Sequence, residues 1–271
     1  MRILVLSFYY VPDIGPGPLR ARSIVSSLKK AKSDIEIDVM TTMPNRYHAT
    51  NIRAKQKECC HKVSIDRVSL PKHRSSMVAQ AFAFMVFAKA VIRKSKEKKW
   101  DIVVATSSRL MTATLAVYVA KRTGAKLYLD IRDLFTDTMK DILISNPLRI
   151  SLPFIKLIEK WTFESADKIN LISAGFLPYF KGIQLKSAPT LYTNGVDESF
   201  VNTNFSSNKK VTMPIVLYAG NIGHGQGLHH IIPQAGLRFN GKVSFKMIGD
   251  GNERQKLQSK LNEIIAPNIE N

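Results

Sequence analysis

"RILVLSFYYVPDIGPGPLR", residues 2–20, sets a short apolar run directly before a turn with two glycines and three prolines. The run at 2–7 predicts a strand buried on both faces, because its apolar residues are consecutive and do not alternate. Beyond the turn, Ala21, Ile24, Val25 and Leu28 fall at i, i+3, i+4 and i+7 on one face of a helix. Strand, glycine turn, helix is the opening of a β-α-β unit, and the same order recurs along the chain. "IEIDVMT" (35–41), "DIVVAT" (101–106), "KLYLDI" (126–131) and "KINLIS" (168–173) are further strand candidates, and "VSIDRVSL" (63–70) alternates. "SSRLMTATLAVYVAKRTGA" predicts a helix ending at Gly124, and Phe154, Leu157, Ile158 and Trp161 form another helical face after Pro153. This alternation argues for a doubly wound parallel sheet.

After "LYTNGVD" the texture changes. Residues 198–213 are polar and without period, which predicts a linker. The alternation then restarts with strand "PIVLYAG", helix "GLHHIIPQAG", strand "VSFKMIGDG" and helix "NERQKLQSKLNEI". Two α/β domains are expected, 1–200 and 201–271, the second incomplete with two β/α units.

Composition narrows the classes. With 45% hydrophobic and 23% charged residues in 271, the chain is globular, not disordered. Cys59 and Cys60 are adjacent, which offers neither a disulfide framework nor a CxxC metal site. The formal net charge is +19, and residues 52–99 hold 13 basic and 3 acidic side chains, a net of +10. Such a surface seeks polyanions, nucleic acid or an anionic membrane, or is simply a solvated face. No nucleic-acid reading motif is recognised. "SSMVAQAFAFMVFAKAVI" (75–92) is apolar around the whole helix, but Gln80 and Lys89 interrupt it below the roughly 20 residues a spanning helix needs. It is either a core helix or one lying in a membrane interface, with "RKSKEKK" anchored to acidic lipid.

Several glycine turns carry candidate chemistry. Gly15 and Gly17 allow close backbone approach or positive φ, and the N–H groups of a helix start suit phosphate. Arg20 and Arg22 oppose the macrodipole of that helix, and a bound anion would restore the balance. A plain tight turn is the alternative. "LDIRDLF" (129–135) puts Asp130, Arg132 and Asp133 at the end of a strand, where open α/β sheets bind ligands. These charges suit a substrate hydroxyl or a leaving phosphate, unless they form an Asp–Arg pair that caps the next helix. "GNIGHGQG" (220–227) and "GDGNER" (249–254) are two further strand-to-helix turns. His224, His229 and His230 have no acidic or cysteine companions at ligand spacing, so no metal site is expected.

Taken together, "SFYYVPDIGPGPLR", "DIVVATSSRLMTA", "LYLDIRDLF", "EKWTFESADKINLIS", "LYTNGVD", "VLYAGNIGHGQGL" and "MIGDGNERQKL" resemble glycosyltransferase family 4, retaining enzymes of GT-B fold, especially the bacterial surface-polysaccharide branch. The match covers nearly the whole chain in the family's order. It implies an α/β, GT-B type fold of two Rossmann-like domains. It also implies sugar transfer, with retention, from a nucleoside-diphosphate sugar to a polyprenyl-diphosphate-linked glycan, in O-antigen, capsule or exopolysaccharide synthesis. The donor is a substrate, and no cofactor or metal is required. By resemblance, Gly15, Gly17, Asn194, Asn221, Gly223, Gln226, Gly249, Asp250, Gly251 and Arg254 bind the donor, and Arg132, Asp133 and Asp130 carry the chemistry. The implied partners are a nucleotide sugar, a lipid-linked glycan acceptor and an anionic inner-membrane surface, with no nucleic acid. The place is cytoplasmic, peripheral at the inner face of the cytoplasmic membrane.

Two departures qualify the match. Asn221 and Gln226 stand where many members carry a basic pair, and Arg132 replaces a common histidine. The family's E-x7-E motif lies beyond residue 271. A chain of this length is therefore expected to be inactive in transfer, and a truncated, non-catalytic acceptor- or membrane-binding fragment is the alternative.

Overall fold

The computed structural model describes residues 1–45, 53–71, 77–107, 109–142, 147–196, 198–203, 213–264 and 269–270. The chain divides into two compact units, Met1–Val196 and Asp197–Asn271. The first begins with β1 (Arg2–Leu6), α1 (Pro16–Ala31), β2 (Glu36–Thr42), β3 (Lys57–Cys60), β4 (Val63–Val68) and α2 (Met77–Glu97). It continues with β5 (Ile102–Thr106), α3 (Leu110–Thr123), β6 (Lys126–Ile131), α4 (Phe135–Ile142), α5 (Leu152–Ser165), β7 (Lys168–Leu171) and β8 (Thr190–Leu191). One eight-stranded sheet results, in the order β3-β4-β2-β1-β5-β6-β7-β8. Its pairs are parallel except β3 with β4. The order reverses beside β1, the topological switch point that places ligand crevices at strand C-termini.

β1 shows why its apolar run does not alternate. Ile3 and Val5 pack against Ala21 and Val25 of α1 on one face. Leu4 and Leu6 pack on the other with Phe87 and Val91 of α2, Ala113 and Val117 of α3, and Phe163 of α5. Each fully buried side chain of this size contributes about 1.5–3 kcal/mol. The helix predicted to stop at Gly124 does so, with that residue at φ 71° as a left-handed cap.

Three features differ from the sequence expectations. A hairpin joins β3 to β4 through His61 and Lys62, both at positive φ (47° and 64°), without the glycine or asparagine that marks such turns. α2 is neither wholly core nor wholly free. Ala83, Phe87 and Val91 are buried, while Val78, Phe82, Met85, Lys89, Arg93 and Lys96 form an exposed stripe. Ser75 and Ser76 of the expected apolar segment lie outside the described residues. Finally, the face of Phe154, Leu157 and Trp161 on α5 points outward. The helix instead buries Glu159 and Thr162 with Phe163.

Polar partners explain that inversion. The Glu159 carboxylate accepts from the Tyr179 hydroxyl and, at 3.2 Å, from the backbone N–H of Thr136 at the start of α4. The Thr162 hydroxyl lies 3.0 Å from that of Thr114 on α3. Burial, and then the hydrogen bond to Glu159, push the Tyr179 pKa upward, so it stays a protonated donor.

The second unit contains α6 (Glu198–Val201), β9 (Ile215–Ala219), α7 (Leu228–Arg238), β10 (Ser244–Ile248), α8 (Arg254–Asn262) and β11 (Ile269–Glu270). Its parallel sheet runs β11-β10-β9, one strand more than the two expected. Ile222, Leu228, Ile232, Phe245, Met247 and Leu257 form its core. Most of the expected linker, 204–212, lies outside the described residues.

The two faces of α2 should separate in a stability measurement. Phe87→Ala should cost about 3–5 kcal/mol in urea unfolding, whereas Phe82→Ala should stay within about 0.5 kcal/mol. Equal losses would refute the division of the helix.

Candidate functional site

The first cluster lies at the C-terminal edge of the eight-stranded sheet. The turn after β1 leads to α1 through Gly15, whose φ of 142° favours glycine at that position. Pro16 and Pro18 carry no N–H, and Leu19 N donates to Gly15 O at 3.3 Å, so Gly17 carries the N–H that lies between the two prolines. Gly17 and Pro18 are buried, and Gly15 is half-buried.

Arg20 is balanced by protein. Its Nε donates to Asp130 Oδ2 at 3.1 Å and its Nη2 to Oδ1 at 2.9 Å. Asp130 is wholly buried at the end of β6, and the Arg20 side chain is 14% exposed. A bidentate fork of this kind answers a buried carboxylate well. Asn170 of β7 donates from Nδ2 to Asp130 Oδ1 at 2.8 Å and accepts from Tyr192 N at 2.8 Å. Arg20 also donates to the carbonyls of Thr193 (2.7 Å) and Tyr192 (3.2 Å). The network thus ties α1, β6 and β7 to the segment that leads into Asn194, which is exposed.

Asp130, expected to join the chemistry, is held on both oxygens by Arg20 and on Oδ1 also by Asn170. Of the acidic residues in the expected Asp–Arg pair, Asp130 takes its arginine from α1, Arg20. Arg132 is buried at the strand's edge, its N–H donating to Ser107 Oγ at 3.3 Å, and Asp133 is exposed. Both follow β6 directly, on the edge that holds the start of α1. Asn170 gave no sequence signal beyond being a polar residue inside an apolar strand.

The second cluster lies wholly in the second unit, where the loops after β9 and β10 run side by side. Gly220 N donates to Ile248 O, and Ile222 N to Asp250 O, both at 2.9 Å; Glu253 N donates to Ile222 O at 3.0 Å. This contact accounts for two of the glycines. A Cβ on Gly249 would sit 1.8 Å from the Gly220 carbonyl oxygen, and one on Gly251 would sit 2.2 Å from that of Ile222. A Cβ on Gly225 would meet open space.

Asn221, Gly223 and Gln226 are brought together. Gln226 Oε1 accepts from Gly223 N at 3.2 Å and from Asn221 Nδ2 at 3.3 Å. Asp250 Oδ1 accepts from Gly251 N at 2.8 Å and lies 3.9 Å from Arg254 Nη1. Asp250, Gly251, Asn252, Arg254, Gln255 and Gln258 line an open cleft of about 630 Å³.

Beside these loops Glu253, 24 positions beyond His229, supplies the acidic companion that local spacing concealed. Its Oε2 lies 3.5 Å from Nδ1 of the buried His229, and its Oε1 lies 3.9 Å from Nδ1 of the exposed His224. Burial, and then the charges of His230 and Lys256, hold the His229 pKa below its usual range against the pull of Glu253. Among the described residues, no three His, Cys, Asp or Glu side chains converge as a metal site.

No family model matches the chain, and a comparison with curated proteins finds no match. Solved structures do match. Sucrose-phosphate synthase from Thermosynechococcus elongatus superposes with a TM-score of 0.71 at 14% identity, over 99% of this chain and 69% of that one. HepE from Anabaena, in complex with UDP-glucose, gives 0.63 at 14% identity, over 100% of this chain and 68% of that one. The catalytic domain of starch synthase IV from Arabidopsis thaliana, bound to ADP and acarbose, gives 0.58 at 11% identity, over 97% and 70%. At these identities the likeness is one of fold, and the fold is GT-B.

Asp130→Ala should cost about 3–5 kcal/mol, because it leaves the Arg20 guanidinium largely buried without its carboxylate. Urea unfolding checks this, and a loss below 1 kcal/mol would remove the network from the stability of the edge. In the second unit, Gly251→Ala should lower stability by about 1–3 kcal/mol while Gly225→Ala stays within about 0.5 kcal/mol, read by thermal melting.

Proposed function

We propose that the chain carries the scaffold of a glycosyltransferase that takes a sugar from a nucleoside diphosphate and passes it to a polyprenyl-diphosphate-linked glycan. The observation that supports this most is the gathering of Asn221, Gly223, Gln226, Gly249, Asp250 and Gly251 on paired glycine loops at one sheet edge. Loops of this kind aim backbone N–H groups at phosphate. In this reading Gly15 and Gly17 face the donor phosphates and Arg254 adds charge. Arg132 steadies the leaving diphosphate, Asp133 offers an exposed carboxylate, and Asp130 positions through Arg20.

Transfer proceeds with retention and without metal in this reading. The bond from the anomeric carbon to the diphosphate oxygen breaks as the bond to the acceptor oxygen forms on the same face. The acceptor's proton leaves with the diphosphate. The open stripe of α2, apolar at Val78, Phe82 and Met85 and basic at Lys89, Arg93 and Lys96, suits the anionic inner face of a cytoplasmic membrane, where lipid-linked acceptors sit.

The amides of Asn221 and Gln226 engage each other, which favours a weak grip on diphosphate and keeps the non-catalytic reading in view. A titration of the chain with UDP-glucose, UDP and ADP by saturation-transfer NMR tests the proposal. The pair Asn221→Arg with Gln226→Lys should tighten nucleotide binding roughly tenfold by adding charge-assisted bonds to phosphate. Absence of nucleotide binding in both proteins would overturn the donor reading, and nucleotide binding without radiolabel transfer to extracted membrane lipid would favour the non-catalytic one.

A further inference from the structure

α5 presents to solvent what an amphipathic helix ordinarily hides. Its inward side holds Glu159 and Thr162 with Phe163, and its outward side holds Phe154 (66% exposed), Leu157 (64%) and Trp161 (41%) at i, i+3 and i+7. Ile150, in the 3-10 turn just before α5, is 88% exposed and extends the stripe by one turn. α3 adds to the same surface. Thr114 touches Thr162 of α5, and Lys121 Nζ lies 4.7 Å over the Trp161 ring. Met111 and Tyr118, at i−3 and i+4 from Thr114, share that side of α3 and are exposed.

An apolar patch of this extent is uncommon on a surface that meets only water. Its border is basic. Arg149, Lys156, Lys160 and Lys121 surround it, all exposed, with Glu164 paired to Lys160 at 3.7 Å. A second copy of the chain docking by a twofold would set this basic border against an identical basic border. An anionic bilayer offers both the apolar depth and the opposite charge. No described helix is long and apolar enough to cross a membrane. α5, with 14 residues and about 21 Å of length, suits lying flat in the headgroup layer. Tyr118 and Trp161 are the aromatic types that settle at that depth.

We propose that the outer face of α3 and α5, with Ile150, Met111, Tyr118, Phe154, Leu157 and Trp161, docks on an anionic lipid surface as a second footprint beside α2. The proposal rests on the membrane-proximal reading given above and extends it to a surface that reading did not use. α2 packs against α3 and α3 against α5, over one face of the sheet, so both footprints belong to the same helix layer. Lipid would therefore be met by three helices of one layer.

The chain carries its own reporter. Of its two tryptophans, Trp100 is buried and bonded to Asp38, whereas Trp161 sits in the patch. With vesicles of phosphatidylglycerol and phosphatidylcholine, Trp161 emission should shift to the blue and be quenched by brominated lipid. Both effects should fade in pure phosphatidylcholine and at high salt. Phe154→Ser with Leu157→Ser should weaken vesicle binding roughly tenfold or more, since two buried side chains are lost from the membrane phase, while melting stays unchanged. Phe82→Ser with Met85→Ser should weaken binding yet leave the bound fraction's Trp161 quenched. Wild-type protein that sediments with vesicles while Trp161 stays unquenched would overturn the α5 footprint and leave the α2 reading standing. Failure to sediment with anionic vesicles would overturn both footprints, and nucleotide titration would still test the transferase reading separately. A lipid-free doubling of mass, abolished by the Phe154 and Leu157 changes, would make the occupant a second copy and overturn the lipid proposal.

Discussion

The Asp130 carboxylate is wholly buried, and a charge in that position is costly unless protein partners answer it. Arg20 answers it with a two-pronged bond, and Asn170 adds a third donor, on Oδ1. Much of the C-terminal edge of the first unit's sheet hangs on that arrangement. It pins the helix after the first glycine turn to β6, and it draws Tyr192 and Thr193 onto the end of β7. Arg132 and Asp133 lie two and three residues beyond Asp130, so the same ion pair helps set where they begin.

Much of this fold is legible in the residues, and the reasons for the exceptions are physical. Parallel strands covered on both faces need continuous apolar runs, which is why β1, β5, β6 and β7 stand out. The hairpin of β3 escapes notice because His61 and Lys62 take up positive φ without the residue types that do so cheaply. α5 misleads for the opposite reason. Its apolar period is real, but period alone does not say which side is inside, and Glu159 and Thr162 reverse the choice through partners on α4, α3 and the Ala174–Phe180 turn.

The candidate site divides in the same way. Glycine-rich turns at strand ends are readable, and the structure sets them on the sheet edges expected of them. Their chemistry is less readable, because a glycine answers to whatever approaches it. At Gly249 and Gly251 the approaching atoms are carbonyl oxygens of the neighbouring loop, so those two residues are required by the packing of the unit whether or not phosphate arrives. Pairings between distant positions, Arg20 with Asp130 or His229 with Glu253, leave no local pattern at all. They follow from topology, which places the ends of separate strands and helices side by side.

The antiparallel hairpin has one more consequence. A parallel sheet that ended at β4 would offer a row of open N–H and C=O groups to any passing extended chain. Here the border is the four-residue β3, which carries Lys57 and Glu58. The opposite border is β8, only two residues long. Both margins are too short, and one too charged, to template further strands, which should hold down edge-to-edge aggregation of an eight-stranded sheet in a crowded solution.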